Sequence, residues 1–481
     1  MALMEFILFG LMMTLLVSFI RSHKAMTGLT LVHALAYFVM AGVLLSSSLP
    51  TNESGWFTID YLSVYEIFIT AAIFALVAVY AGGYAEGLIH EGLLDERNLN
   101  LFYIAINVLL IIVVLSFCTG DFAIFWILAE LTTFFAAFLI AILNSQRNVY
   151  ASLKYIFVAS TAMLFSFMGL ILLYATAESA LGSGTLEWST LAANAGKLPA
   201  SPLLTAFAFL FIGFAAKAGI APFHTVLPSA HSKAPSAVSA ILSGIIPNIG
   251  LYGIMRAVAV VNGTPVAPMA STLLIAFGVL SVAIAALSML RQTSLKKLLG
   301  FSTTENTGLM LIGIGIGTPV AIFWVLFHTL AHSLTKALLF FSAGILNRQY
   351  LSDKADDLKG VFKLQPLASF GLIFGAAAII GMPPSIVFIS ELSLLAQMAG
   401  TSLWLIGAVG LLLLIAAAAF AVFLSGVFSH EDDRTKIYVY QTPKRMGLPV
   451  VLLAIAIFAL GIAMPSGLYE LIQNAASCLG L

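Results

Sequence analysis

The stretch KAGIAPFHTVLPSAHSKAPSAVSAILSG, residues 217–244, sets two lysines, two histidines and three prolines between runs of apolar sequence. Proline lacks a backbone donor and clashes with the carbonyl four residues back, so a helix must open at Ala221-Pro222-Phe223-His224. The surroundings are oil-like. Of the 481 residues, 61% are apolar and 9% charged, far from the roughly 25% charged of soluble domains. The chain reads as an all-α polytopic membrane protein, and its apolar runs are unbroken rather than alternating as in a barrel.

Apolar runs between polar breaks give fourteen expected segments, near residues 3–20, 27–47, 61–82, 99–118, 121–143, 150–174, 203–228, 235–259, 269–290, 299–317, 319–346, 367–398, 402–428 and 447–465. The first run has no basic stretch ahead of it and is kept as a span rather than a signal peptide. Charge tests the count. All of the 21 Lys and Arg residues lie in or beside the loops after odd-numbered segments, except Lys197 and Arg256 on the other side and Lys217 and Lys336 within spans. By the positive-inside rule, the odd loops face the cytoplasm and both termini face outward. The charge runs DERN (95–98) and HEDDRTK (430–436) read as solvated loops, and Asp121 as a helix cap or anchor.

A second break is expected in the twelfth segment at Gly381-Met382-Pro383-Pro384. Freed backbone is tolerated at membrane depth only inside protein or against a wet cavity. Segments 4–8 and 9–13 form two five-helix units, each broken in its fourth member. An odd number of helices per unit inverts the second relative to the first, and paired breaks in inverted repeats point to a midplane ion site. The expected divisions are a three-helix segment (1–98), a first repeat (99–260), a second repeat (261–428) and a C-terminal loop and helix (429–481).

The spans also carry ionisable groups. Glu130 lies in FAIFWILAELTTFFAAFLIA, Lys217 five residues before Pro222, and Glu391 seven after Pro384. Segment 11 carries His328, His332 and Lys336 in FHTLAHSLTKALLFF. Each such group at a helix centre costs roughly 2.5–3.5 kcal/mol to insert, so it is kept for a function or a partner. The i, i+4, i+8 spacing stacks the last three on one face over about 12 Å. Glu130 and Lys217 are expected to act as a switch, both charged when close and Lys217 able to release its proton when apart. A structural ion pair is the blander alternative. His-x-x-x-His can ligate metal, but no carboxylate or cysteine accompanies it, so no metal site is expected. Lys154, His224, His231, Lys233, Asn248 and Glu305 are auxiliary candidates.

Several classes are disfavoured. Net charge is zero with no basic aromatic patch, so nucleic acid is not an expected partner. Cys118 and Cys478 are too few for a metal cluster, and neither a dinucleotide fingerprint nor a P-loop occurs. No redox cofactor or redox chemistry is therefore expected on this chain itself.

The stretch from Lys217 to Tyr252 resembles the signature of the antiporter-like membrane subunits shared by respiratory complex I, Mrp-type sodium/proton antiporters and membrane-bound [NiFe] hydrogenases. ILAELTTFFAAFLIAIL, FAAKAGIAPFH, SLKKLLGFSTTENTGLM, HTLAHSLTKALLFFSAGIL and GMPPSIVFISEL are similar to further helices of that superfamily. The resemblance implies that Glu130, Lys217, His328, His332, Lys336 and Glu391 carry ions. It also implies that Ni-Fe and iron–sulfur clusters sit on hydrophilic partner subunits, beside other antiporter-like and small membrane subunits. Two departures stand out. Asn248, after Pro247, occupies a place where complex I subunits often carry a second central lysine, and the chain ends soon after segment 14 without a long lateral helix. Together with AELTT, TTENTG and FISEL, these features look most like subunits of hydrogenase-4 and formate-hydrogenlyase-type complexes. The implied function is ion translocation, most simply of protons, coupled to electron transfer elsewhere. A gradient-driven Mrp-type antiporter, a complex I-like quinone oxidoreductase subunit, and a structural arm whose charges no longer conduct remain open alternatives.

Overall fold

The computed structural model describes residues 2–52, 56–428 and 439–480. Helix covers every expected segment. The first six are continuous: α1 (Ala2–Phe19), α2 (His23–Leu44), α3 (Tyr61–His90), α4 (Glu96–Phe117), α5 (Phe122–Ala141) and α6 (Gln146–Leu181). A small hairpin, β1 (Thr51–Asn52) with β2 (Thr58–Ile59), joins α2 to α3, and short α7 (Trp188–Ala193) follows α6. The seventh segment is divided into α8 (Ala200–Ala218) and α9 (Val226–Lys233), and the eighth into α10 (Ser236–Gly244) and α11 (Ile246–Val261). Then come α12 (Ala267–Met289), α13 (Leu295–Ile316), α14 (Pro319–Tyr350) and one-turn α15 (Val361–Leu364). The twelfth segment is divided into α16 (Pro366–Ile379) and α17 (Ile386–Thr401); α18 (Leu403–Phe428), α19 (Lys444–Ile462) and α20 (Ser466–Ser477) complete the chain.

Among the described residues, eleven helical stretches are long and apolar enough to cross a membrane, taking α8 with α9 and α10 with α11 as single stretches. Helices α1, α16 and α17 are apolar but shorter. Burial separates centre from rim. The apolar window of α10–α11 is wholly buried and that of α14 is 94% buried, whereas only 28% of the α18 window is. Outward residues such as Phe157, Leu403 and Trp404 are apolar and exposed, as a lipid-facing surface requires.

The two expected breaks share one local form. Helix α8 ends at Gly219 (φ +76°), three residues before Pro222, and the break after α16 has Gly381 (φ +71°) three residues before Pro384. Left-handed backbone at these points favours glycine. The break between α10 and α11 was not expected. Ile245 interrupts the ladder, and Pro247 in the first turn of α11 lacks the amide that would continue it.

Loops alternate between two ends of the bundle. A cleft of about 640 Å³ gathers Arg147, Lys154, Lys233, Lys297, Asp353 and Lys354, from the connections after segments 5, 7, 9 and 11. At the other end, Phe57 pairs with Thr119 and Asp121 with Glu187, joining connections after segments 2, 4 and 6. Asp121 caps α5 through the amides of Ala123 (2.8 Å) and Ile124 (3.2 Å). The DERN run is exposed as expected, but it opens α4, with Asp95 as its N-cap, rather than remaining loop. The HEDDRTK run lies outside the described residues. Arg256 is not a loop charge either: it is buried in α11, 2.6 Å from Asp60, the N-cap of α3.

Candidate functional site: a buried polar row

Lys217 lies in the last turn of α8, just before the first break, with 4% of its surface exposed. Its Nζ donates to the Ala129 carbonyl and to Thr133 Oγ1 of α5, both at 2.7 Å. Glu130, one residue from Ala129, points elsewhere. Its Oε1 accepts a short hydrogen bond from Ser160 of α6, and its Oε2 is buried without a partner. The carboxylate lines a groove of about 350 Å³ with Trp126, Ile127, Leu131, Phe134 and Ile156 on the outer side of α5 and α6. Lys217 and Glu130 thus meet opposite sides of α5 and make no ion pair.

His328, His332 and Lys336 share a face of α14 and are fully buried. His328 Nε2 lies 3.0 Å from Asn306 Oδ1 and its Nδ1 2.8 Å from Ser390 Oγ. Asn306 spends its amide protons on Ser302 O and Glu305 Oε2, so its carbonyl takes the proton of His328 Nε2. The result is a continuous line, Glu305–Asn306–His328–Ser390, from α13 through α14 to α17. Lys336 Nζ donates to Leu299 O at 3.0 Å. Both nitrogens of His332, and both of His231 against Phe340, are buried without partners. Buried polar atoms of this kind are exceptions among buried groups, nearly all of which are hydrogen-bonded. Glu391, on α17, stands against the second break: a methyl on Gly381 would lie 2.5 Å from its Oε2.

Glu305, His328, His332 and Lys336 thus lie together between α13 and α14, with Glu391 at the second break, while Lys217 is buried apart against α5 and Glu130 faces the groove outside it. His224 is buried next to the first break with Nδ1 unpartnered. Lys154 and Lys233 are not brought into this row. They line the basic cleft at one end of the bundle. Asn248 of α11 is buried and contacts a residue that the sequence reading passed over, Glu66 of α3: Asn248 Nδ2 donates to Glu66 Oε2 at 3.2 Å. The rule that exposed Glu130 applies equally to a lone acid in LSVYEIFITAAIF. Asn306, Ser390, Thr133 and Ser160 were also missed, since neutral hydroxyls and amides in apolar helices are cheap and give little signal.

The description "NADH:quinone oxidoreductase/Mrp antiporter, TM" matches residues 119–417, from just before α5 to the middle of α18. The chain belongs to this family. It is an antiporter-like, multi-pass membrane subunit of a kind found in hydrogenase, complex I-like and Mrp complexes of prokaryotic membranes. It is 30% identical to the hydrogenase-4 component F homolog of Methylacidiphilum infernorum, over 98% of each chain. It is 27% identical to NADH-quinone oxidoreductase subunit N of Desulforudis audaxviator, over 93% of this chain and 92% of that one. Its fold matches a chain of the membrane-bound sulfane sulfur reductase, an archaeal respiratory membrane complex, with a TM-score of 0.87 at 22% identity, covering 99% of this chain and 97% of that chain. The matched region holds Glu130, Lys217, Glu305, His328, His332, Lys336 and Glu391, but not Glu66.

Proposed function

We propose that this antiporter-like subunit moves protons across the membrane along the buried row, driven by electron transfer in partner subunits of a membrane-bound hydrogenase-type complex. One observation carries the reading: Lys217, Glu305, His328, His332 and Lys336 lie within an apolar bundle at 5% exposure or less. Such groups are expensive in lipid and mark ion pathways. Moving one charge across 100 mV takes about 2.3 kcal/mol, within the range that making or breaking a buried ion pair supplies. In this reading Lys217 exchanges a proton as Glu130 approaches and withdraws, charge passes through His332, Lys336, Glu305 and His328, and Glu391 is the exit. The Ni-Fe and iron–sulfur clusters sit on the hydrophilic partners, and other membrane subunits cover the Glu130 groove.

The matching Gly-x-x-Pro breaks after α8 and α16 support two inverted five-helix units. The segregation of basic loops at one end supports a cytoplasmic position for that end, with both termini outside. A sodium/proton antiporter driven by gradients is the second reading, favoured by a family that includes Mrp subunits. Copurification and flux together decide between them. Iron–sulfur subunits in the isolated complex, with redox-driven proton uptake by its vesicles, are expected. A complex of small membrane proteins alone, exchanging sodium for protons, would overturn the redox-driven reading.

A further inference from the structure

Glu66 lies outside the matched family region, on α3, with 1% of its surface exposed. Its surroundings are incomplete. Oε2 accepts from Asn248 Nδ2, while Oε1 has no partner. Two further buried oxygens lack partners: Asn248 Oδ1 and Thr70 Oγ1, one turn along α3 on the face of Glu66. Asn248 Nδ2 also lies 3.4 Å from Ser333 Oγ, which donates to Gly244 O at 2.5 Å, the last carbonyl before the α10–α11 break. No Lys, Arg or His nitrogen lies within ion-pair distance of Glu66 among the described residues. An uncompensated carboxylate is costly when it is 1% exposed and has no cation beside it. It must hold a cation, and the smallest that fits one carboxyl group with an amide is the proton.

The position is central. Helix α11 crosses α8 where Gly250 meets Ala218, so close that an added methyl would come within 2.4 Å of the Ala218 amide. Gly250 thus faces α8, whereas Asn248, two residues earlier on the opposite side of α11, turns to Glu66 of α3 and Ser333 of α14. On the other side Ser333 adjoins His332, whose ring nitrogens have no partner.

We propose that Glu66 is a proton-exchanging group of this chain, positioned by Asn248, and that it brings the N-terminal three-helix segment into the ion route. Asn248 cannot carry a proton charge, but its amide suits both states of its neighbour. Its N–H₂ serves the carboxylate, and after rotation its carbonyl serves the carboxylic acid. Glu66 takes a proton from one water molecule as a carboxylate and returns it to another as a carboxylic acid, so only O–H bonds form and break. The inference rests on the ion-translocation reading above.

The test uses the intact complex in sealed vesicles, in sodium-free buffer, with a pH dye inside. Glu66→Gln keeps the shape and the acceptor for Asn248 but cannot exchange a proton. Its proton uptake per redox turnover is expected to fall at least tenfold in a fully assembled complex, whereas Glu66→Asp retains part of it. Infrared difference spectra on turnover should show a carboxylic C=O band that is absent in Glu66→Gln and shifted in Glu66→Asp. Uptake by Glu66→Gln within twofold of the parent, alongside loss in Lys217→Ala, would overturn the role of Glu66 and leave the translocation reading intact. A parent complex that moves no protons would instead strike that reading itself. If Glu66→Gln fails to assemble, Glu66→Asp decides: a shifted band supports the proposal, and an unmoved band overturns it.

Discussion

Lys217 reaches across to α5 and binds Thr133 Oγ1 at 2.7 Å, while Glu130 on the same helix turns away to Ser160. The lysine is thus held by neutral oxygens, and approach of Glu130 would exchange them for a charge. A hydrogen bond to a charged group contributes about 1.5–3 kcal/mol. Thr133→Val should therefore bias the switch and lower ion flux about tenfold, whereas Lys217→Ala or Glu130→Ala should abolish it with the complex still assembled. Flux in vesicles, checked against subunit content on native gels, measures this. Full pumping by an assembled Lys217→Ala complex would remove the switch from the mechanism.

Much of this row could be read before any coordinates because an ionisable side chain in a lipid-depth helix costs too much to be incidental. That rule singles out Glu130, Lys217, His328, His332, Lys336 and Glu391 as candidates, and the prolines at 222, 383 and 384 mark the broken helices. Glu66 obeys the same rule, but it precedes the segments in which repeats were expected. Its partner Asn248 lies 182 residues away, and no local pattern links them. The relays Asn306 and Ser390 were not legible, because serine and asparagine can satisfy themselves on their own helix. The break at Ile245 was hidden for a related reason: Pro247 sits in the first turn of α11, where proline is well tolerated, so it alone does not announce an interruption.

Gly381 ties the second break to Glu391. Its φ of +71° costs a residue with a side chain roughly 1–2 kcal/mol, and a methyl there would strike the Glu391 carboxylate. Gly381→Ala should therefore displace the proposed exit and depress flux several-fold more than it depresses thermal stability. Gly400→Ala in α17, where an added methyl meets nothing within 4 Å, is the matched control and should leave both unchanged. Equal flux in the two variants would detach Glu391 from the route.

The Asn306 amide joins Glu305 to His328, donating to one and accepting from the other. Asn306→Leu has similar size and leaves both partners buried without it, at about 1–3 kcal/mol for each unsatisfied group. Flux should fall by roughly tenfold or more. Asn306→Gln, which keeps both functions on a longer stem, should recover part of it. Comparable flux in the leucine and parent complexes would show that protons bypass His328.

Arg256 and Asp60 make a different kind of pair. The 2.6 Å contact is buried, and the guanidinium lies 4.8 Å from the ring centroids of both Trp188 and Tyr252. Asp60 also accepts from the Ser63 amide at 2.9 Å, so the pair fixes the start of α3, the helix that carries Glu66. Arg256→Ala would leave Asp60 buried and uncompensated, at about 3–5 kcal/mol. Arg256→Lys keeps the charge but loses the planar stacking and should be intermediate. Adding Asp60→Asn to Arg256→Ala removes the stranded charge while keeping an oxygen to cap α3, so it should restore most of the lost stability. Thermal unfolding of the purified complex measures all three. A double variant no more stable than Arg256→Ala would show that stacking on Trp188 and Tyr252, not the ion pair, holds this end of α3 in place.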